Sequence, residues 1–108
     1  MKKNNIIKSK LEFTDIIKNC KYIKNQYFII YYRKNDIKNR YGISVPKKTG
    51  KAHIRNKIKR QLKNIIDNNE FSVQKKFDYV IIVRKKILEI DYHCMSKEIL
   101  TLLKRIGW

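Results

Sequence analysis

The sequence predicts an α+β fold, a small sandwich of helices packed on a mostly antiparallel four-stranded sheet, with elements in the order αβββαβα. Three observations lead there. Apolar residues recur at helical spacing at Ile54, Ile58, Leu62, Ile65 and Ile66, and again at Tyr92, Met95, Ile99, Leu102, Leu103 and Ile106. Two runs rich in β-branched and aromatic residues, Tyr27–Tyr32 and Asp78–Arg84, have strand length. Turn-forming residues separate these segments, at Asn35-Asp36, Pro46, Thr49-Gly50 and Asp67-Asn68-Asn69.

Taken in order, residues 1–8 are polar and basic and read as a loose tail. Ser9-Lys10-Leu11-Glu12 has capping-box spacing, in which Ser9 accepts from a backbone N–H and Glu12 reaches back. Phe13, Ile16, Ile17 and Cys20 follow at helical spacing, so a first helix is expected at about Lys10–Asn19, with Ile16, Ile17 and Cys20 in the core. A short strand is expected near 21–25 and a longer one near 26–34. Along the longer one, Tyr27, Ile29, Tyr31 and Arg33 share one face, and Phe28, Ile30 and Tyr32 the other. Arg40–Val45 is the next strand, stopped at Pro46 because proline cannot donate to a ladder. Gly42 and Ser44 leave one of its faces small, open to close approach. The basic helix follows Thr49-Gly50 and ends near Asp67–Asn69. Residues 70–77 connect it to Asp78–Arg84, a strand apolar enough to be buried on both faces. Lys85–Glu89 leads into the last helix, with Asp91 as its candidate cap and Gly107 at its end.

Composition narrows the function. Leu, Ile, Val and Phe make up 33 of the 108 residues, well above the ~20% level that signals disorder. Against 27 Lys/Arg there are 9 Asp/Glu, a formal charge of +18. Such a chain repels itself and seeks an anion. The longest apolar runs, Tyr27–Tyr32 and Tyr79–Val83, are too short to span a bilayer. The basic start, Met1-Lys2-Lys3, lacks the apolar stretch of a signal peptide. A cytoplasmic protein with no membrane partner is expected, with Cys20 and Cys94 as free thiols. His93-Cys94 lacks zinc-type partners, and no metal site is assigned.

The charge is concentrated. Between Lys47 and Lys63 lie eight lysines and arginines and no acid. The candidate RNA-binding residues are Lys47, Lys48, Lys51, Arg55, Asn56, Lys57, Lys59, Arg60 and Lys63. Arg55–Lys59 and Lys59–Lys63 are like-charge i,i+4 pairs that each cost ~0.2–0.5 kcal/mol. Cations in the first turn also oppose the helix macrodipole. The helix thus gives up local stability to hold a positive face, and a polyanion is the compensating ligand; the competing reading is a solvated charged surface. Lysines and arginines around a glycine-containing turn and a helix N-terminus are a common phosphate-docking arrangement. Asn56 can read a base edge or a 2′-hydroxyl, or hold a metal-bound water. No catalytic residue is assigned, because His53 and His93 stand far apart and the nine acids are scattered along the sequence.

With these residues in place, Gly42–Arg60 resembles the bacterial ribonuclease P protein component. It is similar to that family's strand, its Lys-Lys-x-Gly turn and its Arg-Asn-Arg-x-Lys-Arg helix. Asp78–Lys85 resembles the family's next strand, Phe13 falls at its first-helix aromatic and Tyr31 at its strand aromatic. The resemblance covers nearly the whole length. Lys57 replaces the second arginine of the triplet, Lys63 stands where arginine is frequent, and Ile17 where a second phenylalanine is common. Lysine offers a point charge in place of arginine's planar fork.

The resemblance implies a left-handed β-helix-β crossover, where the general rule favours the right-handed form. It also implies a monomeric polypeptide of one RNA-binding domain, 1–108, that partners the catalytic RNA of ribonuclease P. Together they would remove the 5′ leader from precursor tRNA, with Mg²⁺ held mainly by the RNA activating the attacking water. Phe13, Ile17, Tyr31, Arg33 and Ser44 would bind the leader in a cleft between the first helix and the sheet, with Lys10, Lys47 and Lys48 following its backbone. Three other readings remain. A basic ribosomal-type protein would co-purify with ribosomes, and a free-standing nuclease would cleave precursor tRNA by itself. A DNA-binding domain would place the basic helix in a major groove.

Overall fold

In the computed structural model, which describes residues 7, 10–19, 21–35, 39–69 and 76–106, the expected element order is present. It runs α1 (Lys10–Asn19), β1 (Lys21–Lys24), β2 (Phe28–Asn35), β3 (Arg40–Ser44), α2 (Ala52–Asn68), β4 (Lys76–Val83) and α3 (Tyr92–Ile106). Two 3₁₀ turns, Lys47–Thr49 and Lys85–Glu89, follow β3 and β4. The sequence reading took both only as connections. Ser9, Cys20, residues 70–75, Gly107 and Trp108 lie outside the described residues, and with them the Ser9 cap.

The sheet order is β1-β2-β4-β3. β1–β2 and β2–β4 are antiparallel and β3–β4 is parallel, joined through α2. β4 is therefore central, which explains its apolar run. Phe77, Tyr79, Val80, Ile81 and Val83 are all buried. β2 begins at Phe28 and not at residue 26, because the Asn25 side-chain oxygen accepts from Tyr27 N–H at 2.8 Å and Phe28 N–H at 2.9 Å. That turn fixes the chain before the ladder starts.

The register sorts side chains onto two faces. One carries Phe28, Ile30, Tyr41, Tyr79, Ile81 and Val83, and packs against α2 and α3 in the main core. The α2 stripe meets it as expected, with Ile58, Leu62, Ile65 and Ile66 buried and Ile54 packed at the margin. Tyr41 and Tyr79 stack there with centroids 5.1 Å apart. The other face carries three cross-strand rows. They are Arg33–Asp78–Arg40, then Tyr22–Tyr31–Val80–Gly42, then Lys24–Ile29–Ile82–Ser44. α1 lies over this face, with Ile16 fully buried against Val80.

Two expectations are corrected. Ile7 was placed in a loose tail, yet it is buried in the α1-side cluster and its N–H donates to Tyr41 O at 2.9 Å. An edge strand offers such bonds, and an apolar side chain beneath a helix holds the segment there. Tyr92 was placed on the apolar face of α3, yet it is exposed, its hydroxyl accepting from Asn64 at 3.0 Å. The α3 cap is as expected, since Asp91 accepts from Cys94 N–H at 2.9 Å. That bond holds the Asp91 carboxyl below its ordinary pKa.

Leu62 and Lys63 are neighbours on α2 with opposite environments, one fully buried and one exposed. Leu62→Ala is expected to cost ~2–5 kcal/mol in denaturant unfolding, the range for a buried leucine. Lys63→Ala is expected to stay within about 0.5 kcal/mol of the parent. Equal losses would contradict the assignment of the buried stripe.

Candidate nucleic-acid interface

The basic face begins at the turn after β3. Pro46 is extended, and Thr49 N–H donates back to Pro46 O at 2.9 Å, closing the 3₁₀ turn. Gly50 is extended and packs under α2, where an added Cβ would meet the Ile54 side chain at 3.4 Å. Arg55 donates from Nε to Gly50 O at 3.1 Å, tying the first turn of α2 to this loop. Lys51 precedes the helix and supplies no side-chain cap. Nor does the first turn of α2 hold an acid. Lys47, Lys48 and Lys51 therefore gather at the positive end of a helix whose own first turn is cationic. Asn56, Lys57, Arg60 and Lys63 are exposed along α2, while Arg55 and Lys59 are half-buried on its flank.

A groove of about 430 Å³ opens on the α1 side of the sheet. Ile29 and Ile82 form its floor, Pro46 and Lys48 one end, and Arg84, Lys85 and Lys86 a basic wall. Ser44 lies beside Ile82 in the register, and Tyr31 follows Ile29 on the same face. Lys48 therefore both lines the groove and belongs to the turn that leads into α2.

The position of α1 beside this groove is set by a buried carboxylate. Asp78 is 1% exposed. It accepts from Arg33 Nε at 2.9 Å, from Arg40 Nε at 2.8 Å and Nη2 at 2.9 Å, and from Asn35 Nδ2 at 2.8 Å. Each arginine then reaches α1. Arg33 Nη1 pairs with Asp15 at 3.0 Å and Arg40 Nη1 with Glu12 at 3.0 Å. Burial pushes the Asp78 carboxyl pKa up, but the hydrogen bonds and charges of Arg40 and Arg33 outweigh it, and the group stays below the ordinary carboxylate range. The hydrogen bonds that Arg40 donates to Asp78 in turn raise the Arg40 pKa.

Residues 1–107 match the model of the family described as Ribonuclease P. The chain belongs to the ribonuclease P protein family. It is 46% identical to the ribonuclease P protein component of Mycoplasma mycoides subsp. mycoides, across 98% of this chain and 99% of that one. Against the Thermotoga maritima component it is 41% identical, across 88% and 86%. Among solved structures, the Thermotoga maritima RNase P protein superposes with a TM-score of 0.81 at 37% identity, covering 90% of this chain and 93% of that one. The Staphylococcus aureus RNase P protein gives 0.88 at 28%, covering 95% of each.

Within this family framework, Asn56, Lys57, Arg60 and Lys63 are exposed along α2, and Ile17, Tyr31 and Ser44 lie on the groove side of the sheet. The side chains of Phe13 and Lys10 lie outside the described residues. The Arg33 guanidinium is engaged by Asp78 and Asp15. Gln26, Ile29, Ile82 and Arg84–Lys86 line the groove and were not singled out from sequence. Alternation along β2 offered Ile29, two residues from Tyr31. The basic triplet closing β4 offered the rest.

Asp78→Asn should remove the charge that both arginines share. Breaking a buried ion pair costs ~3–5 kcal/mol, and the lower end is expected here because the arginines, 32% and 27% exposed, can rehydrate. An aspartate with a lowered folded pKa stabilises fully above its unfolded value of about 3.9 and loses that contribution as pH falls toward the folded value. Acid unfolding monitored from pH 6 downward should therefore be shallower in the variant than in the parent. Parallel pH profiles would contradict the ion-pair account.

Proposed function

We propose that the chain is the protein subunit of ribonuclease P, binding the catalytic RNA through the basic face of α2 and the 5′ leader of precursor tRNA in the α1-side groove. The supporting observation is Lys48, which lines the groove and stands in the turn leading into the basic helix. One RNA surface held by α2 would then hand a single strand directly into the groove.

The chemistry of each surface suits that division. Exposed lysines and arginines along a helix neutralise phosphates without reading sequence. The groove pairs an apolar floor with a basic wall, and Tyr31 stands next to Ile29 on the same face, which is what a single strand of variable sequence requires. Stacking and apolar contact accept any base, and Lys48, Lys85 and Lys86 follow the backbone. Ile17 holds the α1 side of the groove, and Ser44 offers a hydroxyl near its floor. Phe13 is proposed from its place on α1. Arg33 contributes by fixing α1 and not by touching RNA.

Among the described residues, no group of three or more histidines, cysteines or acids is placed to hold a metal ion. Asp78, Asp15 and Glu12 are engaged by arginines, and the exposed face of α2 is cationic. Mg²⁺ is therefore assigned to the RNA. This chain's part is to bind and orient: Asn56, neutral among the cations, is proposed to position RNA or the water shell of an RNA-held ion.

Two outcomes are expected in the reconstituted ribonucleoprotein. Arg60→Ala should weaken binding to the RNA subunit and flatten the log–log salt slope by about one unit. Unchanged affinity and slope would remove α2 from the docking surface. Tyr31→Ala should weaken precursor tRNA binding about fivefold or more, the loss of one stacked base, while mature tRNA binding holds. Equal losses toward both RNAs, with a lowered melting temperature, would make Tyr31 a core residue only.

A further inference from the structure

The groove does not end at Tyr31. β1 pairs Tyr22 with Tyr31 and Lys24 with Ile29, so Tyr22 and Lys24 stand on the same face as the groove. The Tyr22 and Tyr31 rings are 5.4 Å apart and tilted by 43°. Tyr22 is 54% exposed. A cross-strand aromatic pair stabilises an edge, but that role is met with one side of the ring and leaves the other facing water. Lys24 is also exposed.

The course of α1 shows where this pair sits. Glu12 bonds Arg40 of β3 and Asp15 bonds Arg33 of β2, so the helix crosses the sheet from β3 toward β1. The groove beside it crosses in the same direction. It starts at Pro46 and Lys48, passes over Ile82 and Ile29, and reaches Gln26 in the β1–β2 turn. Lys24, opposite Ile29, is the next side chain outward, and the Tyr31–Tyr22 pair borders the track on the α1 side. The Lys48 end adjoins the basic helix, so the β1 end is the far end.

We propose that Tyr22, backed by Tyr31 and flanked by Lys24, is a distal stacking subsite for single-stranded RNA, taking one nucleotide of any base. This rests on the leader-binding reading of the groove. It adds that the leader crosses the whole sheet, and that Tyr22 meets the nucleotides farthest from the cleavage site. The tilted ring offers a π-face, and Lys24 offers a charge for the adjoining phosphate.

The test uses the reconstituted ribonucleoprotein and precursor tRNAs whose leaders are shortened one nucleotide at a time. In the parent, affinity should rise with leader length until the β1 edge is reached. Tyr22→Ala should lower the ratio of affinities between the longest and shortest leaders about fivefold or more, and Tyr22→Phe should restore it. Lys24→Ala should reduce the salt dependence of the long-leader complex alone. A length-dependent parent with an unchanged ratio in Tyr22→Ala would overturn the subsite and leave the groove reading standing. A parent indifferent to leader length would overturn both. Equal loss at every leader length would make Tyr22 a stabiliser of the edge and overturn the subsite.

Discussion

The Asp78 carboxylate is the interaction on which the binding surface depends. It is sealed in the centre of the sheet and would be costly there alone. Arg33 and Arg40, one from each neighbouring strand, neutralise it. Their remaining nitrogens extend to Asp15 and Glu12, so one buried charge anchors α1 at two points along its length. With Ile16 buried one residue beyond Asp15, α1 is held over one end of its sheet face. The other end, Ile29, Ile82 and Ser44, stays open as the groove. A purely apolar contact would bury comparable area without fixing where α1 lies across the strands.

The same economy separates burial from charge on α2. Ile58, Leu62, Ile65 and Ile66 supply the packing, so the cations along the rest of the helix are not needed for the fold. Like charges one turn apart oppose helix formation, and a bound polyanion would relieve that opposition. A chain of +18 that retains a full apolar core has its core and its ligand specified by different residues. The 3₁₀ turn at Lys47–Thr49 joins them. It begins after β3, at one end of the groove, and leads to the helix that carries the charge.

Periodicity made the elements legible. The α2 stripe, the two faces of β2 and the double burial of β4 all follow from side-chain spacing, and the structure has them. The basic face was legible from charge density alone. The Asp78 network was not, because Asp78 opens an apolar run and its partners lie 38 and 45 residues away. Only the register of β4 between β2 and β3 brings them together. For the same reason Arg33 read as a ligand contact when alternation placed it beside Tyr31. Tyr22 went unremarked because a lone tyrosine in a four-residue strand says nothing until its cross-strand neighbour is known. Tail composition misread Ile7, whose burial depends on the free edge of β3.

The central claim is that one continuous surface holds the catalytic RNA and the leader together. The most direct measurement compares equilibrium affinities for precursor and mature tRNA, with the RNA subunit alone and with the RNA–protein complex, at fixed salt and low Mg²⁺. The account predicts that adding the protein strengthens precursor binding much more than mature tRNA binding. An equal gain for both RNAs would contradict it and reduce the chain to a charge-neutralising cofactor of the RNA.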